Sequence, residues 1–208
     1  MKKIVIAGGG ELGSQFLHFI NSYSSDKVVG WFDDTKDKDC LINGVKVLGR
    51  IEDIEASTDD FEYVLIAVGY KHLPFKYKLI NQIKGKVKLY TFVHPTANID
   101  KTAIIEEGCF IYPNVTIDKG CHIKSGVLLN NSVTISHDSV IEECVFIAPG
   151  CTLSGFVHVK SKTFLGTGTI VVDNVVIYDN VKTGAGTVVI QNIDQQGLYV
   201  GNPARFIR

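Results

Sequence analysis

The chain has 208 residues, of which 45% are hydrophobic and 21% charged, and its formal net charge is −1. Near neutrality excludes a molecule-wide polyanion-binding surface, so neither nucleic acid nor an anionic membrane is expected as a partner. Met1-Lys2-Lys3 precedes only four apolar residues before glycines begin, too short for a signal peptide, and no apolar run approaches a membrane span, so a cytoplasmic protein is expected.

Residues 1–92 alternate strand and helix. Lys2–Ala7, Lys27–Phe32, Tyr63–Val68 and Val87–Phe92 are rich in Val, Ile and aromatics and read as strands. Leu12, Phe16, Phe19, Ile20 and Tyr23 recur at helical spacing between the first two. Pro74 can open a second helix carrying Phe75, Leu79, Ile80 and Ile83, and a short helix can cover Ile51 to Ala56. This order predicts a small parallel sheet, half the size of a full dinucleotide domain.

Gly8, Gly10 and Gly13 match G-x-G-x-x-G between a predicted strand and helix, and Asp33 and Asp34 close the next strand. Glycines let a backbone approach phosphate, a helix N-terminus favours anions, and a carboxylate can accept from a ribose or base. The same residues also suit a plain tight turn beside a solvated acidic loop. Gly69, Tyr70 and Lys71 follow the third strand and supply a second wall at the strand ends, where ligands of such sheets sit. Lys71 can meet a phosphate or be an ordinary surface lysine. The domain is short for NAD, and a nucleotide attached to another group fits better.

Residues 93–208 obey a different rule. Every sixth residue from Val93 to Val189 is aliphatic except Thr183. A period of six is neither helical nor that of an open strand, and it marks a hexapeptide β-solenoid. Small or β-branched residues stand four places after each aliphatic, including Cys109, Cys121 and Cys151, as a narrow prism requires. The place before them often holds Gly, Asn or Asp, among them Gly120, Asp138, Asn174 and Asn192, which tolerate the left-handed backbone of a corner. The five cysteines form no C-x-x-C pair and read as compact core filler rather than a disulfide frame or zinc site.

His137 stands apart among the six histidines. It occupies a corner between Ser136 and Asp138, and three hexapeptides per coil stack Gly155 upon it. A base, an orienting carboxylate and an open N–H donor form an acyl-transfer constellation. Without that stack, His137 would read as an exposed corner side chain. His122 and His158 read as ordinary face residues, and no H-x₄-H pair supports the zinc chemistry that some solenoids carry.

Over its whole length the sequence resembles the sialic-acid O-acetyltransferase and bacillosamine-pathway group of bacterial sugar acyltransferases. The segments are Ile6–Gly10, Val29–Asp34, Val93–Ala97, Leu129-Asn130-Asn131, Ile135–Asp138, Ile147–Gly150 and Tyr199–Arg205. The resemblance implies an α/β Rossmann-like domain (1–92) followed by a left-handed parallel β-helix of hexapeptide repeats (93–208), assembled as a homotrimer with sites between neighbouring helices. It further implies an acetyl-CoA-dependent N-acetyltransferase acting, without a metal, on a nucleotide-linked amino sugar of 4-amino-4,6-dideoxy type, for surface polysaccharide or O-antigen synthesis. His137 would be the general base and Asp138 its orienter. Coenzyme A would lie against Gly155, Gly166, Thr167, Gly184 and Ala185, and the substrate against Gly8, Gly10, Asp33, Asp34, Gly69, Tyr70, Lys71 and Asn130. Sialic acid O-acetylation and a non-catalytic sugar-nucleotide sensor are the alternatives. Two departures from the family are Phe146, where relatives commonly carry a second histidine, and Glu11-Leu12-Gly13, where many carry G-H-G.

Overall fold

Ile4 to Ala7 have no polar alternate positions, so the strand they form must be covered on both faces. In the computed structural model, which describes residues 1–208, β1 (Lys3–Ala7) lies inside a six-stranded sheet and those four residues are fully buried. The chain forms two units, Met1–Phe92 and Val93–Arg208. No helix is long and apolar enough to cross a membrane.

In the first unit, α1 (Glu11–Tyr23) follows β1 and returns the chain to β2 (Lys27–Phe32). The helix buries Gly13, Phe16, Leu17 and Ile20, whereas Tyr23, expected on the apolar face, is exposed. Gly13 is required here by packing: a Cβ would meet Trp31 Cζ3 at 2.9 Å and the Gly8 carbonyl. Next comes a hairpin absent from the sequence expectation, β3 (Leu41–Ile42) with β4 (Val45–Gly49). Asn43 and Gly44 at its tip have φ of 49° and 78°, the two positive values that a tight hairpin turn demands. β4 then joins β2 in parallel, and Trp31 Nε1 donates to the Ile42 carbonyl at 3.1 Å, tying the hairpin down.

A 3₁₀ segment (Ile51–Ser57) leads across to β5 (Tyr63–Ile66), α2 (Leu73–Ile83) and β6 (Lys88–Leu89). The spatial order is β3-β4-β2-β1-β5-β6. The chain therefore leaves β1 toward one edge and later fills the other, which puts the topological switch between β1 and β5. Right-handed crossovers in opposite directions put α1 and α2 on opposite faces. Pro74 does open α2, but Phe75 is 44% exposed rather than core. The last two strands are shorter than expected because only Tyr63–Ile66 and Lys88–Leu89 find parallel partners.

The second unit is a parallel β-helix of two-residue strands in three sheets. The first sheet runs from Phe92–Val93 to a C-terminal hairpin (Gly197–Val200 with Arg205–Phe206), the second from Asn98–Ile99 to Val188–Val189, and the third from Ile104–Ile105 to Val176–Ile177. Up to Val188–Val189 each strand ends on its register residue, aliphatic at every coil but Thr183: Ile135, Ile141 and Ile147 of one coil are fully buried, each contributing roughly 1.5–3 kcal/mol. Left-handed φ recurs at the predicted corners, including Gly120 (69°), Asp138 (58°) and Asn174 (61°). Asn192 departs from that pattern, and its Oδ1 instead accepts from the Val176 N–H at 2.8 Å.

Thr183, the lone polar residue of the aliphatic register, is 2% exposed and satisfied: its Oγ1 accepts from the Gly166 N–H at 2.9 Å and lies 2.7 Å from Thr169 Oγ1. The cysteines form no disulfide. Cys109, Cys121 and Cys151 are fully buried, and Cys121 and Cys151 donate to the Ser136 and Gly166 carbonyls at 3.2 and 3.1 Å.

Candidate active site

Eighteen residues per coil bring every third hexapeptide into register, as Thr134–Ile135 on Thr152–Leu153 shows. His137 and Gly155 thus share the edge between the second and third sheets. The imidazole lies so close over Gly155 that a Cβ there would sit 2.7 Å from Cε1 and 2.8 Å from Nε2. Nδ1 lies 3.0 Å from Asp138 Oδ2, which leaves Nε2 as the outward nitrogen. Asp138 is itself accommodated by a glycine, since a Cβ on Gly120 would strike its Oδ1. No protein acceptor takes the Gly155 N–H. Next along the chain, Phe156 stands perpendicular to His137, with centroids 5.1 Å apart. Sequence reasoning did not single Phe156 out, although an aromatic residue in a column of Gly, Asp and Asn was a visible anomaly.

The other solenoid candidates lie elsewhere. Asn130, Gly166, Thr167, Gly184 and Ala185 line the edge between the first and second sheets. Gly166 is explained by coil-to-coil contact, because a Cβ would lie 2.8 Å from the Gly184 carbonyl carbon, and a Cβ on Gly184 would lie 2.8 Å from Val200 Cγ1. Thr167 and Ala185 are their exposed neighbours. Phe146 is 8% exposed and packs on Phe164 in the first sheet, with centroids 5.7 Å apart. A cavity of about 350 Å³ opens on the His137 edge three coils further on, where Ile190, Gln191 and Asn192 face Tyr199, Pro203 and Arg205 of the C-terminal hairpin.

His122 and His158 are more than face residues. Their Nε2 atoms lie 2.9 Å from Glu106 and 2.7 Å from Glu142, and Lys124 completes a ladder to Glu142 at 2.8 Å. Burial alone would raise the Glu142 carboxyl, but the Lys124 and His158 hydrogen bonds outweigh it and hold it well below the usual carboxylate range. The third sheet's outer face is therefore charged. No group of three or more His, Cys, Asp or Glu side chains is arranged to hold a metal ion.

In the first unit the glycine turn and the two aspartates divide the work. Gly8 has φ of 108°, and a Cβ there would lie 2.8 Å from the Ala67 carbonyl oxygen, at the switch point. Asp33 is 8% exposed and turned inward: Oδ2 accepts from the Gly9 N–H at 2.6 Å, and Oδ1 from the Thr35 N–H at 2.8 Å and hydroxyl at 2.6 Å. It holds the turn's shape, with both oxygens engaged inside the protein. Asp34 instead borders a cavity of about 230 Å³ with Arg50, Phe75, Lys78 and Gln82. Arg50 and Lys78 were not singled out by sequence, and Phe75 was read only as a core position of α2, because only the fold brings the β4 end and α2 beside Asp34. Gly10 has open space around it, and Gly69 leads into the short 3₁₀ turn Tyr70–His72, where Tyr70 is 42% exposed and Lys71 exposed.

Burial raises the Asp33 carboxyl, yet the hydrogen bonds from Thr35 and Gly9 outweigh it and leave its pKa lowered. A lowered folded value means that Asp33 adds stability above the unfolded carboxylate range, near about 3.9, and loses it as pH falls through the folded value. Asp33→Ala is expected to cost about 2 kcal/mol at neutral pH, lowering the melting of the N-terminal unit by about 8–16 °C. Thermal denaturation at pH 7 and pH 3 measures this, and the deficit should shrink at the lower pH.

Comparison with known proteins gives two family matches. Residues 87–195, more than half of the chain, match the family model of the GMPPB C-terminal domain, and residues 3–73 match that of the PglD N-terminal domain. Among solved structures, the acetyltransferase domain of PglB from Neisseria gonorrhoeae, in complex with acetyl coenzyme A, is 25% identical with a TM-score of 0.87 over 99% of both chains. PerB from Caulobacter crescentus, in complex with CoA and GDP-perosamine, is 23% identical with a TM-score of 0.90, covering 100% of this chain and 98% of that one. WeeI from Acinetobacter baumannii is 22% identical with a TM-score of 0.82 over 100% of both. Among curated proteins no sequence matches.

Proposed function

The chain belongs to the family that the GMPPB C-terminal domain model describes, and is a hexapeptide-repeat bacterial sugar acyltransferase; on that premise we propose that it transfers acetyl from acetyl-CoA to the amine of a nucleotide-linked 4-amino-4,6-dideoxy sugar. The observation that carries this reading is the His137–Asp138 pair, 3.0 Å apart, standing over the side-chain-free Gly155.

The substrate amine attacks the thioester carbonyl carbon. His137 Nε2 takes the proton that the amine must lose, while Asp138 holds Nδ1 and fixes the ring's orientation. The Gly155 N–H, uncommitted within the chain, meets the oxygen that becomes negative, a contact worth about 3–4 kcal/mol for a well-placed donor. Collapse of the tetrahedral intermediate expels the CoA thiolate, which takes the proton from the imidazolium. Products are the amide and CoA–SH. An acyl-cysteine route is disfavoured: burial pushes the Cys151 thiol up to about 11, and Cys144 is fully buried.

Acetyl-CoA would place its thioester at Gly155 and extend along the same edge. Three coils at about 4.8 Å each carry it roughly 14 Å, to the cavity beside Tyr199 and Arg205. Asn130, Gly166, Thr167, Gly184 and Ala185 lie on a different edge of the prism. They contribute to the same site only when a second copy presents that edge, which favours a homotrimer with sites between neighbours. The face joining the two edges presents Asn98, Thr116, Thr134, Thr152, Ile170 and Val188, uncharged throughout, as the centre of an interface should be. Thr152→Glu is expected to break this assembly, shifting the protein toward monomer in light scattering and lowering activity with it. A fully active trimeric variant would move the interface to another face.

Asp34, with Arg50, Phe75 and Lys78 around one cavity, fits a nucleotide's mixture of hydrogen-bonding edge, flat ring and phosphate. Gly8, Gly10, Gly69, Tyr70 and Lys71 do not line that cavity; they follow the carboxyl ends of β1 and β5, where the phosphates would sit, with Asp33 shaping the turn. A thiol-release assay over UDP-, dTDP- and GDP-linked 4-amino sugars tests the reading, with sialic acid as the O-acetylation control.

A further inference from the structure

Phe156 is out of place in its column. Its position is a solenoid corner with left-handed backbone, φ of 58°. The residues stacked in the same column are Gly120, Asp138 and Asn174, with φ of 69°, 58° and 61°, the types that accept this conformation readily. A phenylalanine accepts it only against strain. Within a single chain it is also 53% exposed, so packing in its own chain does not offset that strain. What it does contact is His137, whose ring it meets at an interplanar angle of 90° and 5.1 Å between centroids. The stacking rule also sets it one coil on from Asp138 and next to Gly155, so the ring stands edge-on against the imidazole beside both of its other neighbours.

From this juxtaposition we infer that Phe156 is a positioning residue for the acyl transfer, an apolar wall that keeps the His137 ring over Gly155 and shields its flank from water. The inference rests on the proposed role of His137. Asp138 fixes one nitrogen by a single hydrogen bond, about which the ring can still swing. Gly155 supplies the floor, and a perpendicular aromatic ring supplies the side that limits the swing. A site held this way loses rate, not affinity, when the wall is removed, because the substrates do not depend on the ring for binding.

The test is Phe156→Asn, which installs the side chain that the stacked Asn174 already carries at the same backbone geometry. The expected signature is a kcat at least tenfold lower with KM for acetyl-CoA and sugar within twofold, alongside an unchanged or higher Tm. Phe156→Tyr, which keeps the ring, should restore most of the rate. A second readout does not depend on turnover: carbethoxylation of His137 by diethyl pyrocarbonate, followed by peptide mass spectrometry, should be at least threefold faster in Phe156→Asn than in wild type. Equal kcat in wild type and Phe156→Asn, or equal labelling rates, would overturn the inference. If wild type turns over no amino sugar, the functional reading fails by itself, and the labelling rates still decide whether Phe156 shields His137.

Discussion

His137→Ala is expected to lower kcat by at least a hundredfold while leaving sugar-nucleotide binding and thermal stability nearly unchanged. A positioned general base contributes about 10²–10⁴-fold, and Nε2 is the ring nitrogen that Asp138 does not engage, close against Gly155. The side chain is part-exposed and its one ring hydrogen bond goes to Asp138, also part-exposed, so its removal leaves no buried group unsatisfied. Steady-state kinetics with calorimetric binding of the sugar nucleotide separates the two effects. Near-full activity would remove His137 from the reaction, and weakened nucleotide binding would make it a structural residue.

Gly155→Ala should be nearly as damaging by a different route. The added methyl would fall 2.7–2.8 Å from two ring atoms of His137, and the imidazole, being a side chain, would swing away more cheaply than the coil would shift. The Gly155 N–H is retained, so the loss isolates the ring's position. Displacing a catalytic group by about 1 Å costs about a hundredfold. Gly155 does not need left-handed backbone, so the fold should tolerate alanine, with a Tm within a few degrees of wild type. Activity measured together with Tm checks this, and an active Gly155→Ala would mean that the ring does not stand over Gly155 during turnover.

The stacked pair that both predictions address was legible before any coordinates. A strict period fixes which residues share an edge, and the strands fall on the register wherever it was counted, as at Thr134–Ile135 and Thr152–Leu153. Thr183 broke the register in sequence, and its role emerged only with its hydrogen bonds to Gly166 and Thr169, which make a polar core residue tolerable. The hairpin at Asn43-Gly44 carried a sequence signal, but two short strands give too brief an alternation to stand out. Asp33 and Asp34 are adjacent and chemically identical, so sequence could not tell that one turns inward to Gly9 while the other faces a cavity. Gly166 and Gly184 came from the family resemblance, and the period of eighteen that stacks Gly155 on His137 puts both of them on another edge.

That division of the site between edges, and between the glycine turn and the Asp34 cavity, is what makes the choice of substrate a question for experiment. The uninterrupted coils add no loop beside His137, so on the proposed reading discrimination among sugars falls largely to the nucleotide-binding residues of the N-terminal unit.

The proposed reaction is transfer of acetyl from acetyl-CoA to a nucleotide-linked amino sugar. The most direct measurement is release of CoA thiol from acetyl-CoA in the presence of UDP-, dTDP- or GDP-linked 4-amino-4,6-dideoxy sugars, with sialic acid alongside and His137→Ala as the blank. Turnover is expected on one amino sugar nucleotide and is abolished in the variant. Turnover on sialic acid alone, or equal thiol release by wild type and His137→Ala, would contradict it.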